Sequence, residues 1–121
     1  MHSCKTKYPT LMLHGVGVRD GGTGCWGRIP AALRARGARV VFGGQDAWGT
    51  IEENARVLQK MVLRVLRRTR AERVNLLAHS KGGLDARYLI STLGMEAQIA
   101  SLTTISTPHH GSSVADWIYS A

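Results

Sequence analysis

The run Val74-Asn75-Leu76-Leu77-Ala78-His79-Ser80-Lys81-Gly82-Gly83-Leu84 decides how this chain folds. It begins with apolar residues of strand character and ends with residues able to start a helix. Between them lies small-x-Ser-x-Gly, with Ala78 and Gly82 two positions to either side of Ser80. A serine held in strained backbone on a sharp strand-to-helix turn has its neighbours pressed close, so those two places admit only a residue with little or no side chain. Gly83 lets the following helix pack tightly. The strain turns the Ser80 hydroxyl outward, and the N-terminus of the new helix offers a backbone N–H beside it. The spacing alone is weak: ordinary Gly, Ala and Ser usage produces it in roughly one chain in ten of this size, as a mere tight turn. Three companions strengthen it: the strand before, the helix after, and His14-Gly15 at the end of an earlier strand.

Working outward, Tyr8 to His14 reads as a buried strand, with Pro9 near its start where a missing N–H is tolerated. The loop through Gly15, Val16, Gly17, Gly21, Gly22 and Gly24 matches neither G-x-G-x-x-G nor a P-loop, so it gives no support to phosphate binding. Around Trp26 to Arg36, Ile29 and Leu33 recur at helical spacing, with Pro30 in the first turn and Gly37 placed to end the helix. Ala38 to Phe42 is a second strand, broken by Gly43-Gly44. Thr50-x-x-Glu53 is a capping box before a long helix. Its apolar positions are Ile51, Ala55, Leu58, Met61, Val62, Val65 and Leu66. After the central strand, a helix from about Lys81 to Leu93 ends near Gly94, Ile99 to Ser106 forms a fourth strand, and Ser112 caps a short helix through Trp117. Strands alternating with helices predict an α/β fold, a parallel sheet covered by helices on both faces. Active sites in such sheets form at the strand C-terminal ends where the strand order reverses. If the first and third strands are neighbours, His14-Gly15-Val16 and Ser80-Lys81 meet at that point.

The 121 residues, 44% of them apolar, suit a single domain spanning 1–121. No apolar run reaches the length of a membrane span. Met1 to Lys7 lacks the apolar core of a signal peptide. Cys4 and Cys25 fit a disulfide or two reduced thiols equally well. No His/Cys cluster has metal-ligand spacing, so no metal site is expected. With 16 basic and 8 acidic residues the formal charge is +8. Much of the excess lies in Arg64, Arg67, Arg68, Arg70 and Arg73, with Arg28, Arg34, Arg36 and Arg39 elsewhere. A nucleic-acid face is one reading. A solvated helix face is preferred, because Arg56, Lys60, Arg64, Arg67 and Arg68 fall largely between the apolar positions and few aromatics interleave.

Three motifs occur in order: Leu13-His14-Gly15, then Val74 through Asp85-Ala86-Arg87-Tyr88, then Thr107-Pro108-His109-His110-Gly111-Ser112. With them the chain, from Tyr8 to Trp117, resembles the α/β-hydrolase fold, and within it the bacterial triacylglycerol lipases. Ala78 stands where many members carry Gly, and His110 where an arginine or another residue is often found. The resemblance implies a serine carboxylic-ester hydrolase working through an acyl-enzyme on Ser80, with no cofactor. The oxyanion would be held by the backbone N–H groups of Val16 and Lys81. It implies a lipid or other acyl-ester substrate and leaves lipase, esterase and thioesterase undistinguished. Localisation stays open, since members of this family are often secreted.

The family's chain order is Ser, then an acid, then His, with both partners on later strands. The expectation is therefore that this sequence is the N-terminal part of a longer hydrolase, incomplete at its C-terminus and lacking the triad Asp and His. Internal candidates are Asp85, Asp116, His79, His109 and His110. Asp85 is expected to pair with an arginine such as Arg87, and His79 to be aimed away by the turn. His109 and His110 lie on a loop at the reactive edge of the sheet. The fourth strand would be left as an open edge, through which the stretch self-associates. A rival of another class is a non-catalytic binding or interaction module that keeps the hydrolase scaffold.

Overall fold

Leu11, Met12 and Leu13 have no exposed surface. A strand covered on both faces carries such a continuous apolar run instead of an alternating one. In the computed structural model, which describes residues 3–14, 26–44 and 49–111, these residues form the inner strand β1 (Thr10–Leu13). The other elements follow in order: α1 (Ile29–Ala35), β2 (Val40–Phe42), α2 (Ile51–Thr69), β3 (Val74–His79), α3 (Gly82–Ser91), a 3₁₀ turn (Met95–Gln98) and β4 (Ile99–Ile105). All pairings are parallel, and the sheet order is β2-β1-β3-β4. The expected adjacency of the first and third strands is present, with Leu11 opposite Leu76 and Leu13 opposite Ala78.

Both faces of the sheet are covered. On one, Leu11, Leu13, Val74, Leu76 and Ala78 pack with Ala55, Leu58, Val62 and Val65 of α2 and Ala86 and Leu89 of α3. On the other, Met12 and Val40 pack with Trp26, Leu33, Phe42 and Leu77, under α1. Alternation along β3 sends Leu76 and Ala78 to the first face and Leu77 to the second. Asn75 ties the strand starts together: its N–H donates to Pro9 O (2.9 Å), and its Oδ1 accepts from Ser101 Oγ (2.8 Å). Beside it β4 carries an irregularity, with Val74 opposite Ile99 but Asn75 opposite Ser101.

The helix α2 forms where the apolar period and its cap agree. Thr50 Oγ1 accepts the Glu53 N–H at 3.1 Å, and Glu52 and Glu53 complement the positive helix end. Arg56, Lys60, Arg64, Arg67 and Arg68 are exposed. The helix stops at Arg70, which adopts a left-handed φ of 56°. Several expectations are corrected. The first helix is shorter than Trp26 to Arg36, and Ile29 is 48% exposed while Pro30 is buried. The 3₁₀ turn was not foreseen, because four residues are too few to establish a period. Asn54 is buried as well, and its Nδ2 donates to Gly49 O at 3.5 Å. The short helix through Trp117, like Val16, Cys25 and Asp116, lies outside the described residues.

The cap makes a separable contribution. Thr50→Ala should lower stability by about 1 kcal/mol, with fold and activity otherwise kept. Chemical denaturation measures it, and an unchanged midpoint would mean that packing alone holds the start of α2.

Candidate active site

The β3 strand runs through the middle of the sheet and delivers Ser80 at its C-terminal end. Ser80 has φ of 53°, a left-handed conformation that costs a non-glycine residue about 1 kcal/mol or more and persists only where the surroundings enforce it. Here they do. The Ser80 N–H donates to Ile105 O of β4 (2.9 Å), and its carbonyl accepts from the Thr107 hydroxyl (2.8 Å) and the Gly83 N–H (3.1 Å). The peptide groups on both sides of the strained residue are thus tied down.

The small residues around Ser80 answer to specific neighbours. Ala78 is fully buried. A Cβ on Gly82 would lie 2.7 Å from His14 O and 2.8 Å from Leu13 O, so the first turn of α3 sits directly on the end of β1. A Cβ on Gly83 would run into Thr107, meeting its Oγ1 and lying 2.6 Å from its Cγ2. Since β2 lies on one side of β1 and β3 on the other, Ser80 and His14 flank the point where strand order reverses. His14 is 3% exposed. Gly15 and Val16, the expected second oxyanion donor, fall outside the described residues.

The titratable candidates are distributed differently from expectation. Asp85 pairs with Lys81, Nζ to Oδ1 at 3.0 Å, with side chains 1% and 9% exposed; the expected Arg87 partner is wrong. Residues two apart on a helix point to different sides, whereas positions 81 and 85 share one. Arg87 instead reaches His109, with Nη1 3.2 Å from Nδ1 and donating to the His109 carbonyl at 3.3 Å. A guanidinium can only donate, so Nδ1 accepts, Nε2 carries the proton, and Nε2 donates to Thr104 Oγ1 at 3.1 Å. The His109 ring is thereby held at both nitrogens. His79 lies on the α1 face of the sheet, its ring edge-on to Trp26 with centroids 6.1 Å apart. His110 is exposed. Among the described residues no group of three or more His, Cys, Asp or Glu could hold a metal ion, and no helix is long and apolar enough to cross a membrane.

Two members of this site escaped sequence reading. The Lys81–Asp85 pair left a signal, the i,i+4 spacing of opposite charges. The bond from Thr107 to Ser80 left none, because it joins positions 27 apart in the chain.

Residues 43–117, more than half of the chain, match the family described as "Putative serine esterase (DUF676)". The chain belongs to this family. It is 41% identical over 98 residues to triacylglycerol lipase 2 of Saccharomyces cerevisiae, covering 77% of this chain and 30% of that protein. It is 35% identical over 119 residues to a triacylglycerol lipase of Pseudarthrobacter phenanthrenivorans, covering 93% of this chain and 37% of the other. The chain thus spans about a third of the length of these relatives. The crystal structure of mature Bacillus licheniformis lipase BlEst2 superposes with a TM-score of 0.78 at 24% identity, covering 98% of this chain and 48% of that one. The sheet is accordingly that of an α/β hydrolase.

The two glycines should respond differently to a methyl group. Gly82→Ala must displace backbone and should cost about 3 kcal/mol, unrelieved by any change at Thr107. Gly83→Ala meets a side chain, so in a double-mutant cycle with Thr107→Ala the pair should cost less than the sum of the single changes. Denaturation midpoints check both, and simple additivity at Gly83 would contradict the close approach.

Proposed function

We propose that Ser80 is the nucleophile of a carboxylic-ester hydrolase acting on lipid or other acyl esters. One observation carries this reading. A serine, not a glycine, occupies a left-handed strand-to-helix turn at the sheet's reversal point, between small residues and beside a helix N-terminus. Membership of a serine esterase family and the names of the lipase relatives support it.

In the proposed reaction Ser80 Oγ attacks the ester carbonyl carbon while its proton passes to a general base. The tetrahedral oxyanion is held by the Lys81 N–H and a second donor that we assign to Val16. Collapse releases the alcohol, which takes up the proton, and leaves an acyl-serine; water then frees the acid and restores Ser80. We place the acid and the base in sequence beyond residues 1–121. Three facts support this: Asp85 is engaged by Lys81, the His109 ring is held at both nitrogens, and the chain spans only about a third of its relatives. On this reading the 121 residues are the N-terminal portion of one hydrolase domain. In isolation they would carry the nucleophile without turnover, and would self-associate through the open side of β4. The exposed α2 arginines are read as a solvent face, with no nucleic-acid partner.

In the full-length protein, Ser80→Ala should lower hydrolysis of a p-nitrophenyl ester by at least about a thousandfold. Ser80→Gly should be equally inactive yet more stable than Ser80→Ala by about 1 kcal/mol, because glycine adopts φ of 53° without strain. Activity surviving either substitution would refute the assignment. A glycine variant no more stable than the alanine variant would refute the strain.

A further inference from the structure

We propose that the Lys81–Asp85 ion pair is a positioning device that clips the first turn of α3 and so holds the Lys81 N–H toward the oxyanion. The proposal rests on the reading of Ser80 as nucleophile. The pair spans Lys81-Gly82-Gly83-Leu84-Asp85. Its two glycines are required by close approach to the end of β1 and to Thr107, and glycine is the residue whose backbone is least restrained. The turn that carries the proposed donor is therefore intrinsically the loosest part of the helix.

The pair makes little sense as a source of stability. At this helix end the dipole opposes the Lys81 cation at the N-cap and favours Asp85 in the first turn, so the two effects offset each other. The order base-then-acid at i,i+4 is the weaker of the two orders. Both side chains are almost wholly buried, at 9% and 1% exposure, where desolvation offsets most or all of the attraction and an apolar pair of similar volume is often as stable. What a buried charged hydrogen bond of 3.0 Å supplies, and an apolar contact does not, is a fixed direction. It closes across the turn over the same residues as the backbone bonds from Leu84 N–H (2.9 Å) and Asp85 N–H (3.1 Å) to Lys81 O. Lys81 thus has two functions in the proposal: its backbone donates to the oxyanion, and its side chain anchors that backbone from beneath. A catalytic donor must be held within a fraction of an ångström, and small misplacements remote from the bond-breaking step are costly.

The test uses full-length protein carrying Lys81→Met, Asp85→Asn, or the apolar pair Lys81→Met/Asp85→Leu. Asp85→Asn leaves the buried Lys81 ammonium without its ion-pair partner and Lys81→Met takes that partner from Asp85, so both are expected to unfold at lower denaturant concentration. The double variant removes both charges and is expected to recover much of that stability. Its kcat should nevertheless fall by about ten- to a hundredfold with KM unchanged, and amide hydrogen exchange at residues 81–85 should quicken while β3 stays protected. Wild-type kcat in the double variant would overturn the proposal, as would wild-type exchange over the turn. If Ser80→Ala abolishes hydrolysis while the double variant keeps full kcat, only this proposal fails. If hydrolysis survives Ser80→Ala, the nucleophile reading fails and this proposal with it.

Discussion

The constraint on which this structure turns is a single backbone torsion, the φ of 53° at Ser80. An L-residue does not rest there unaided, and the rest of the fold supplies the restraint. Ile105 at the end of β4 accepts from the Ser80 N–H, and Thr107 just beyond donates to its carbonyl. The strand that shields one side of β3 therefore also fixes the turn at its tip. Ser106, between those two partners, has φ of 53° as well. The chain bends sharply at the ends of two neighbouring strands, and the bends are bonded to each other.

From that torsion the packing follows. Turning so sharply brings α3 back against the strand ends, close enough that Gly82 touches the β1 backbone and Gly83 touches Thr107. Neither place has room for a side chain. The helix is then pressed by Ala86 and Leu89 into the core shared with α2. Burial of Leu11, Leu13, Leu76 and Ala78 makes that core, and the core aims the turn. The second face is thinner, with α1 covering Met12 and Val40 through Leu33 while Ile29 remains exposed.

Sequence alone reveals what depends on local pattern. The strand character of Val74 to His79, the small residues around Ser80, the helical period of α2 and its Thr50 cap are all written over a few consecutive residues. The parallel sheet follows from the alternation of elements, whereas the β1–β3 adjacency is only a condition at that level, and the structure meets it. What was hidden depends on tertiary contact. Nothing about Thr107 announces that its hydroxyl reaches Ser80. The outward turn of Ile29 reflects how α1 sits on the sheet, which helical spacing leaves undetermined. Asp85 pairs with Lys81 and not with an arginine such as Arg87, because helix geometry favours the residue four before it. The Arg87 side chain went to His109, on a loop that no spacing connects to α3.

The central claim is that this strained serine is the reacting group. Exposure of the full-length protein to an alkyl fluorophosphonate, followed by peptide mass mapping, tests it most directly. The account predicts one adduct, on Ser80, formed in step with loss of ester hydrolysis. An adduct on another serine, or loss of hydrolysis with Ser80 unmodified, would contradict it.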